Sequence, residues 1–356
     1  MTKHHAENER IKHRYLDFLK NAKGLSEQSL DSVAKSLARF EEYNKYKPFK
    51  LFHTQQAIGF KNNLAAQHGQ RSGEELSKAT QNATLKNLKH FFEWLYQQPG
   101  FKSRFQYTDA EYFSLSKNDV AVATAKREKK FPTLEQVKHV ITMMPSQTDI
   151  ERRNCALLAF AILTGARDGA MASAKLKHID LQTGCFNQDA RGVNTKFGKT
   201  FTTTFFPVGD DIRAIFEDWV TYLREVKLWG NDDPLFPATG IEYSQASHQF
   251  EVVGLKRKCW SNASPIRTIF REAFECAGLP YFNPHSFRDT LVQLAKTKSI
   301  DIETFKAWSQ NLGHESMVTT NSIHADLLKI GITDEQAKAI IIAAVKGEIK
   351  YLSINY

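Results

Sequence analysis

Two arginines, two lysines and three histidines stand in short motifs suited to handling an anion. Arg167 ends Thr164-Gly165-Ala166-Arg167, Lys196 and Lys199 flank Phe197-Gly198, and His285 precedes Arg288 in His285-Ser286-Phe287-Arg288. His314 closes Leu312-Gly313-His314, and His324 follows ten residues later. An arginine fork donates two parallel hydrogen bonds to phosphate oxygens and keeps its proton at any working pH. Lysine adds a point charge and histidine a hydrogen-bond donor. Charge agrees with a polyanionic partner: 48 Lys and Arg oppose 39 Asp and Glu, a formal net charge of +9. Cys155, Cys185, Cys259 and Cys276 form no C-x-x-C pair, so no zinc site, other metal site or disulfide framework is indicated, and a reducing cytoplasm fits. No cofactor is expected.

These groups must be held by folded elements, and 42% hydrophobic with 24% charged residues is the balance of a globular chain. His285 and Arg288 are three residues apart, so a helix that buries Phe287 turns both polar side chains to one face. Gly313 allows close backbone approach beside His314. Upstream, Leu30, Val33, Leu37 and Phe40 after Ser26, and Leu85, Leu88, Phe92 and Leu95, recur at helical spacing. Residues 1–118 therefore read as a helical domain. Residues 119–130 read as a connector whose Lys126, Arg127, Lys129 and Lys130 either track nucleic-acid backbone or are simply solvated. Thr133 after Pro132 starts a second domain over 131–356. It is helical except for a strand pair between Gly184 and Val208, where Thr200-Phe201-Thr202-Thr203-Thr204 is β-branched and aromatic. The expectation is a mainly α protein with a small β-sheet. The opening residues lack the apolar core of a signal peptide, and no apolar run approaches a membrane span.

In this order and at these intervals, the motifs resemble the catalytic domain of the tyrosine recombinase (phage integrase) family, over about 131–349. The helical first domain resembles that family's core-binding, SAM-like domain. The resemblance implies a metal-free exchange of DNA strands, in which Arg167 and Arg288 clamp a phosphate and His285 and His314 add hydrogen bonds. Lys196, or in second place Lys199, would protonate the departing 5′ oxygen, the other contacting DNA backbone. It also implies double-stranded DNA as partner and a homo- or hetero-tetramer on paired sites. A C-terminal amphipathic helix over 334–345 would dock on a neighbouring protomer or on its own domain.

The chain departs from that pattern twice. The family carries a nucleophilic tyrosine nine or ten residues after the Leu-Gly-His histidine, where this chain has Ile323 and His324 although Thr319 and Thr320 keep the family's look. Three readings stay open: a catalytically silent DNA-binding subunit, His324 as nucleophile, or a tyrosine from elsewhere such as Tyr351 or Tyr356. The family's Arg-x-x-Glu is also replaced by Arg167-Asp168-Gly169-Ala170, with Asp168 a candidate to compensate.

Overall fold

The computed structural model describes residues 4–69, 73–125, 130–245, 247–298 and 302–313. They belong to two compact units, Met1–Glu128 and Lys129–Tyr356.

The described part of the first unit is built on α1 (Ala6–Asp17), α2 (Glu27–Tyr43), α3 (Thr54–Ala65), α4 (Lys78–Tyr96) and α5 (Lys117–Thr124). Ser26 starts α2 by accepting the Ser29 amide at 3.4 Å, and Ser77 does the same for Thr80 at 3.2 Å in α4. The periodic residues of both helices face inward onto an aromatic core. There the Phe92 ring lies 4.1 Å from Phe52, 5.1 Å from Phe113 and 5.6 Å from Phe40. Part of the expected connector is helix: Ser116 caps α5 at the Asp119 amide, 3.1 Å away, and Asp119 pairs with Lys78 of α4 at 2.8 Å. The Ser-x-x-Asp cap outweighs the small, basic composition that suggested a linker.

The first helix of the second unit is α6 (Leu134–Met143), with Thr133 and Gln136 exchanging capping bonds. Behind it runs α7 (Asp149–Thr164), almost wholly buried from Cys155 onward and ended by Gly165 in the left-handed region at φ 57°. Short α8 (Asp168–Ser173) follows at once. Next comes an antiparallel sheet ordered β1 (Ile179–Asp180), β2 (Cys185–Gln188), β3 (Phe201–Thr204), so the expected strand pair carries one further short strand. Its register pairs Phe186 with Ile179 on one side and with Thr203 on the other, and Phe186 is fully buried against Phe160 of α7. After α9 (Asp210–Thr221) comes a hairpin, β4 (Ala238–Ser244) and β5 (Gln249–Lys256), that the sequence reading did not anticipate. Its signal was present in Ile241, Tyr243, Phe250, Val252 and Val253, two β-prone runs around a polar tip. Helices α10 (Ser264–Cys276), α11 (Ser286–Thr297) and α12 (Ile302–Asn311) complete the described unit.

Candidate functional site

The site assembles where the end of α7, the start of α11 and the end of α12 meet. Phe287 is fully buried, with its ring 5.0 Å from Phe270 of α10, which sets the rotation of α11 and carries Arg288 inward to 4% exposure. The Arg288 fork then bridges the other two elements. Its Nη1 donates to the Gly165 carbonyl at 2.5 Å and its Nη2 to the Leu312 carbonyl. Gly165 is required for two reasons: its positive φ, and a closeness at which a Cβ would stand 2.6 Å from Leu312 and 3.0 Å from Leu291.

Arg167 lies two residues beyond Gly165, half-buried at the N-cap of α8. Burial holds its guanidinium below the ordinary arginine range. Arg288 is also lowered, first by burial and then by the positive charge of Arg167, with Asp289 opposing in part. The fold therefore brings the two arginines within electrostatic reach, although 121 residues separate them in sequence. Asp168 does not pair with its neighbour. Its Oδ2 is held by Arg267 of α10 at 2.6 Å and its Oδ1 accepts the Gly169 amide at 2.9 Å. The compensating role considered for it is thus taken by a different partnership, and Ala170, at the place of the family's glutamate, is buried in the core.

His285 sits at the N-cap of α11, exposed, beside a hollow that Lys130, Asn283, Ser286 and Asp289 also line. It does not share one open face with Arg288: the helix begins only after His285, so one side chain stays at the surface while the other enters the core. Lys130 joins His285 at that hollow. Lys196 lies in the connection between β2 and β3, exposed, with Nζ 4.9 Å from the centre of the Phe197 ring. Phe197 is 84% exposed and has φ 63°, an uncommon conformation for a side chain of its size. Lys199 is half-buried at the far end of the same turn. Lys126, Arg127, Lys129, His314, His324, Tyr351, Tyr356 and the segment 334–345 lie outside the described residues.

Sequence reasoning missed Asn311, which ties the end of α12 to β3. Its Oδ1 accepts the Thr204 amide and its Nδ2 donates to the Thr204 carbonyl, both at 2.7 Å, so the side chain pairs with β3 as a strand would. Thr203 adds a bond from Oγ1 to the Asn311 carbonyl at 3.0 Å and accepts Gln188 Nε2 at 2.9 Å. Gly313 then lies so close to the Phe201 ring that a Cβ would stand 2.6 Å from it. The available signal was position: Asn311 directly precedes Leu312-Gly313-His314. Among the described residues no group of three or more His, Cys, Asp or Glu side chains is placed to hold a metal ion.

The chain is 24% identical over 326 residues to tyrosine recombinase XerC of Natranaerobius thermophilus, covering 86% of this chain and 90% of that one. It is 25% identical over 202 residues to XerD of Neisseria meningitidis, covering 55% and 59%. In fold it matches a lambda integrase dimer bound to a COC′ core site at TM-score 0.56, with 16% identity over 91% of this chain and 99% of that one. It also matches XerH site-specific recombinase bound to its difH substrate at TM-score 0.55, with 18% identity over 87% and 80%. The sequence model of the phage integrase family matches residues 130–329, more than half of the chain. The chain therefore belongs to the phage integrase family of tyrosine recombinases.

Proposed function

We propose that this protein binds duplex DNA site-specifically in the cytoplasm and exchanges DNA strands through a covalent 3′-phosphoryl-protein intermediate, working as a tetramer on paired sites. The observation that carries the reading is the bond from Arg288 to the Gly165 carbonyl, two residues before Arg167, which gathers two cations at one turn while the adjacent carboxylate, Asp168, is engaged by Arg267. Two like charges kept together repel, and a phosphate between them turns that cost into binding energy concentrated where charge develops on the non-bridging oxygens. His285 at the rim and His314 beyond Gly313 would add donors. Lys196, on its exposed turn, would give a proton to the departing 5′ oxygen, with Lys199 as the nearby backbone contact. Lys126, Arg127, Lys129 and Lys130 would follow the DNA backbone. The DNA-bound dimer and complex of the relatives support a nucleic-acid partner and self-association.

In this reading the nucleophile is His324, which stands where the family carries its tyrosine. A neutral imidazole nitrogen would attack phosphorus, forming an N–P bond as the P–O5′ bond breaks and the 5′ oxygen takes its proton from lysine. Rejoining reverses both bonds. A second reading rests on the same position: with no tyrosine at 323 or 324, the protein serves as a catalytically silent DNA-binding partner of an active recombinase.

A nicked suicide substrate made from the DNA flanking the gene separates the two. Under the first reading a covalent adduct survives a denaturing gel at neutral to alkaline pH and is lost on His324→Ala. An adduct that persists in His324→Ala would assign the nucleophile to a tyrosine elsewhere. Tight binding with no adduct, and an adduct gained by His324→Tyr, would establish the silent partner instead.

A further inference from the structure

The connection between β2 and β3 carries an apolar side chain that the site as built does not use. Its first half is fixed to the site: Val193 is buried in the core, and the Asn194 amide donates to Ser173 Oγ of α8 at 2.8 Å. A Cβ on Gly169, two residues past Arg167, would touch the Asn194 carbonyl at 3.5 Å. From that anchor the chain turns outward through two successive left-handed residues, Phe197 at φ 63° and Gly198 at φ 65°. Among the described residues no exposed large apolar side chain is more open than Phe197, at 84%. Glycine takes that backbone conformation freely, and a phenylalanine there is disfavoured. Exposure and backbone thus both work against phenylalanine in the free protein.

The neighbours select what would cover the ring. Lys196 sets its Nζ 4.9 Å from the ring centre, and Lys199 follows two residues on. The carboxylate that shares the connection, Asp189, is taken by Arg191 at 2.7 Å. An apolar protein pocket closing over Phe197 would strip water from those ammonium groups, which is costly. Nucleic acid meets both demands, with phosphates for the lysines and flat base faces for the ring. We propose that Phe197 is a wedge: it stacks against a base at the step beside the phosphate that Lys196 attends, and holds that step open. This inference rests on the DNA-binding reading. It adds a task that the arginines, histidines and lysines do not perform. Bases next to a break must leave their stack before a strand can change partners, and an inserted apolar side chain is what unstacks a step. Steps that open easily would then be favoured at positions without any hydrogen-bonded base contact.

The test uses the full chain and duplexes made from the DNA flanking the gene, in which a single mismatched pair is walked along the sequence. A mismatch lowers the cost of unstacking, so wild-type affinity should peak, by about fivefold or more, where the weakened step meets the ring. Phe197→Ala should lose the peak and Phe197→Trp should keep it. The salt slope of Phe197→Ala should equal that of the wild type, because an uncharged ring releases no counterions. Thermal unfolding of Phe197→Gly should lie no lower than that of the wild type, since glycine accepts the left-handed backbone, and that variant too should lose the peak. A wild-type profile without a peak, or a peak unchanged in Phe197→Ala, overturns the wedge while leaving DNA binding in place. A reduced salt slope in Phe197→Ala would mean lost phosphate contacts and equally overturn it. A flat wild-type profile together with weaker self-association of Phe197→Ala in sedimentation would assign the ring to a protein partner and overturn it as well. A wild type that binds none of the duplexes overturns the DNA-binding reading and this inference with it.

Discussion

Arg288 does two things with one guanidinium. It contributes charge to the pair with Arg167, and its fork ties Gly165 to Leu312. Arg167 sits at the edge of a short helix and is only half-buried. The two arginines should therefore separate under mutation. Arg288→Ala leaves two buried carbonyls without their donor and opens a cavity, so it should lower stability by about 2–4 kcal/mol and also weaken DNA binding. Arg167→Ala should weaken DNA binding by a similar factor while shifting stability by less than about 1 kcal/mol. Chemical denaturation and half-site titration of the same two samples check this, and equal stability losses would contradict it. Arg288→Lys should not rescue Arg288→Ala fully, because one ammonium cannot reproduce the planar fork.

At the scale of elements, the join between α12 and β3 decides where the Leu-Gly-His motif begins. Asn311 supplies both members of a strand-like pair with Thr204, and Thr203 closes the network to Gln188. Removing that side chain strands a buried amide and a buried carbonyl. Asn311→Ala should cost about 2–4 kcal/mol and raise hydrogen exchange in β3 and α12 before the rest of the second unit. Asn311→Asp should fare little better, since a carboxylate can accept from the Thr204 amide but cannot donate to its carbonyl. Uniform exchange across the unit in Asn311→Ala would show that the join is not a separable local structure.

For the whole molecule, the net charge of +9 falls mostly on the first unit, +7 against +2 on the second, and the basic motif residues of the second unit lie in turns and at helix starts. Affinity that comes mainly from phosphate contacts should fall steeply with salt. With six or more such contacts the loss between 50 and 200 mM salt is about 10³-fold or greater. Titrations at four salt concentrations measure the slope, and a slope near zero would remove the electrostatic basis of the DNA-binding reading. Lys196→Ala should reduce the slope by about one unit if that lysine contacts a phosphate.

By itself the sequence determined what depends on neighbours within a few residues. Ser26 and Thr133 as helix starts, the apolar stripes of α2 and α4, and the β-branched run of β3 were legible because caps, 3.6-residue periods and strand propensity are local. The types and order of the motif residues were equally legible and carried the family. What each motif residue bonds to was not. Only the tertiary structure decided that Arg288 reaches Gly165 across 123 residues, that Asp168 turns to Arg267 across 99, and that Asn311 pairs with Thr204 across 107. The hairpin was missed in a different way, since its alternation was local but its apolar face lacks the burial that a strand pattern is usually taken to imply. The physical reason is common to these cases. A side chain's bonding capacity is fixed by its type, whereas the choice among many possible partners is made by packing, which brings distant backbone groups to where water can no longer satisfy them.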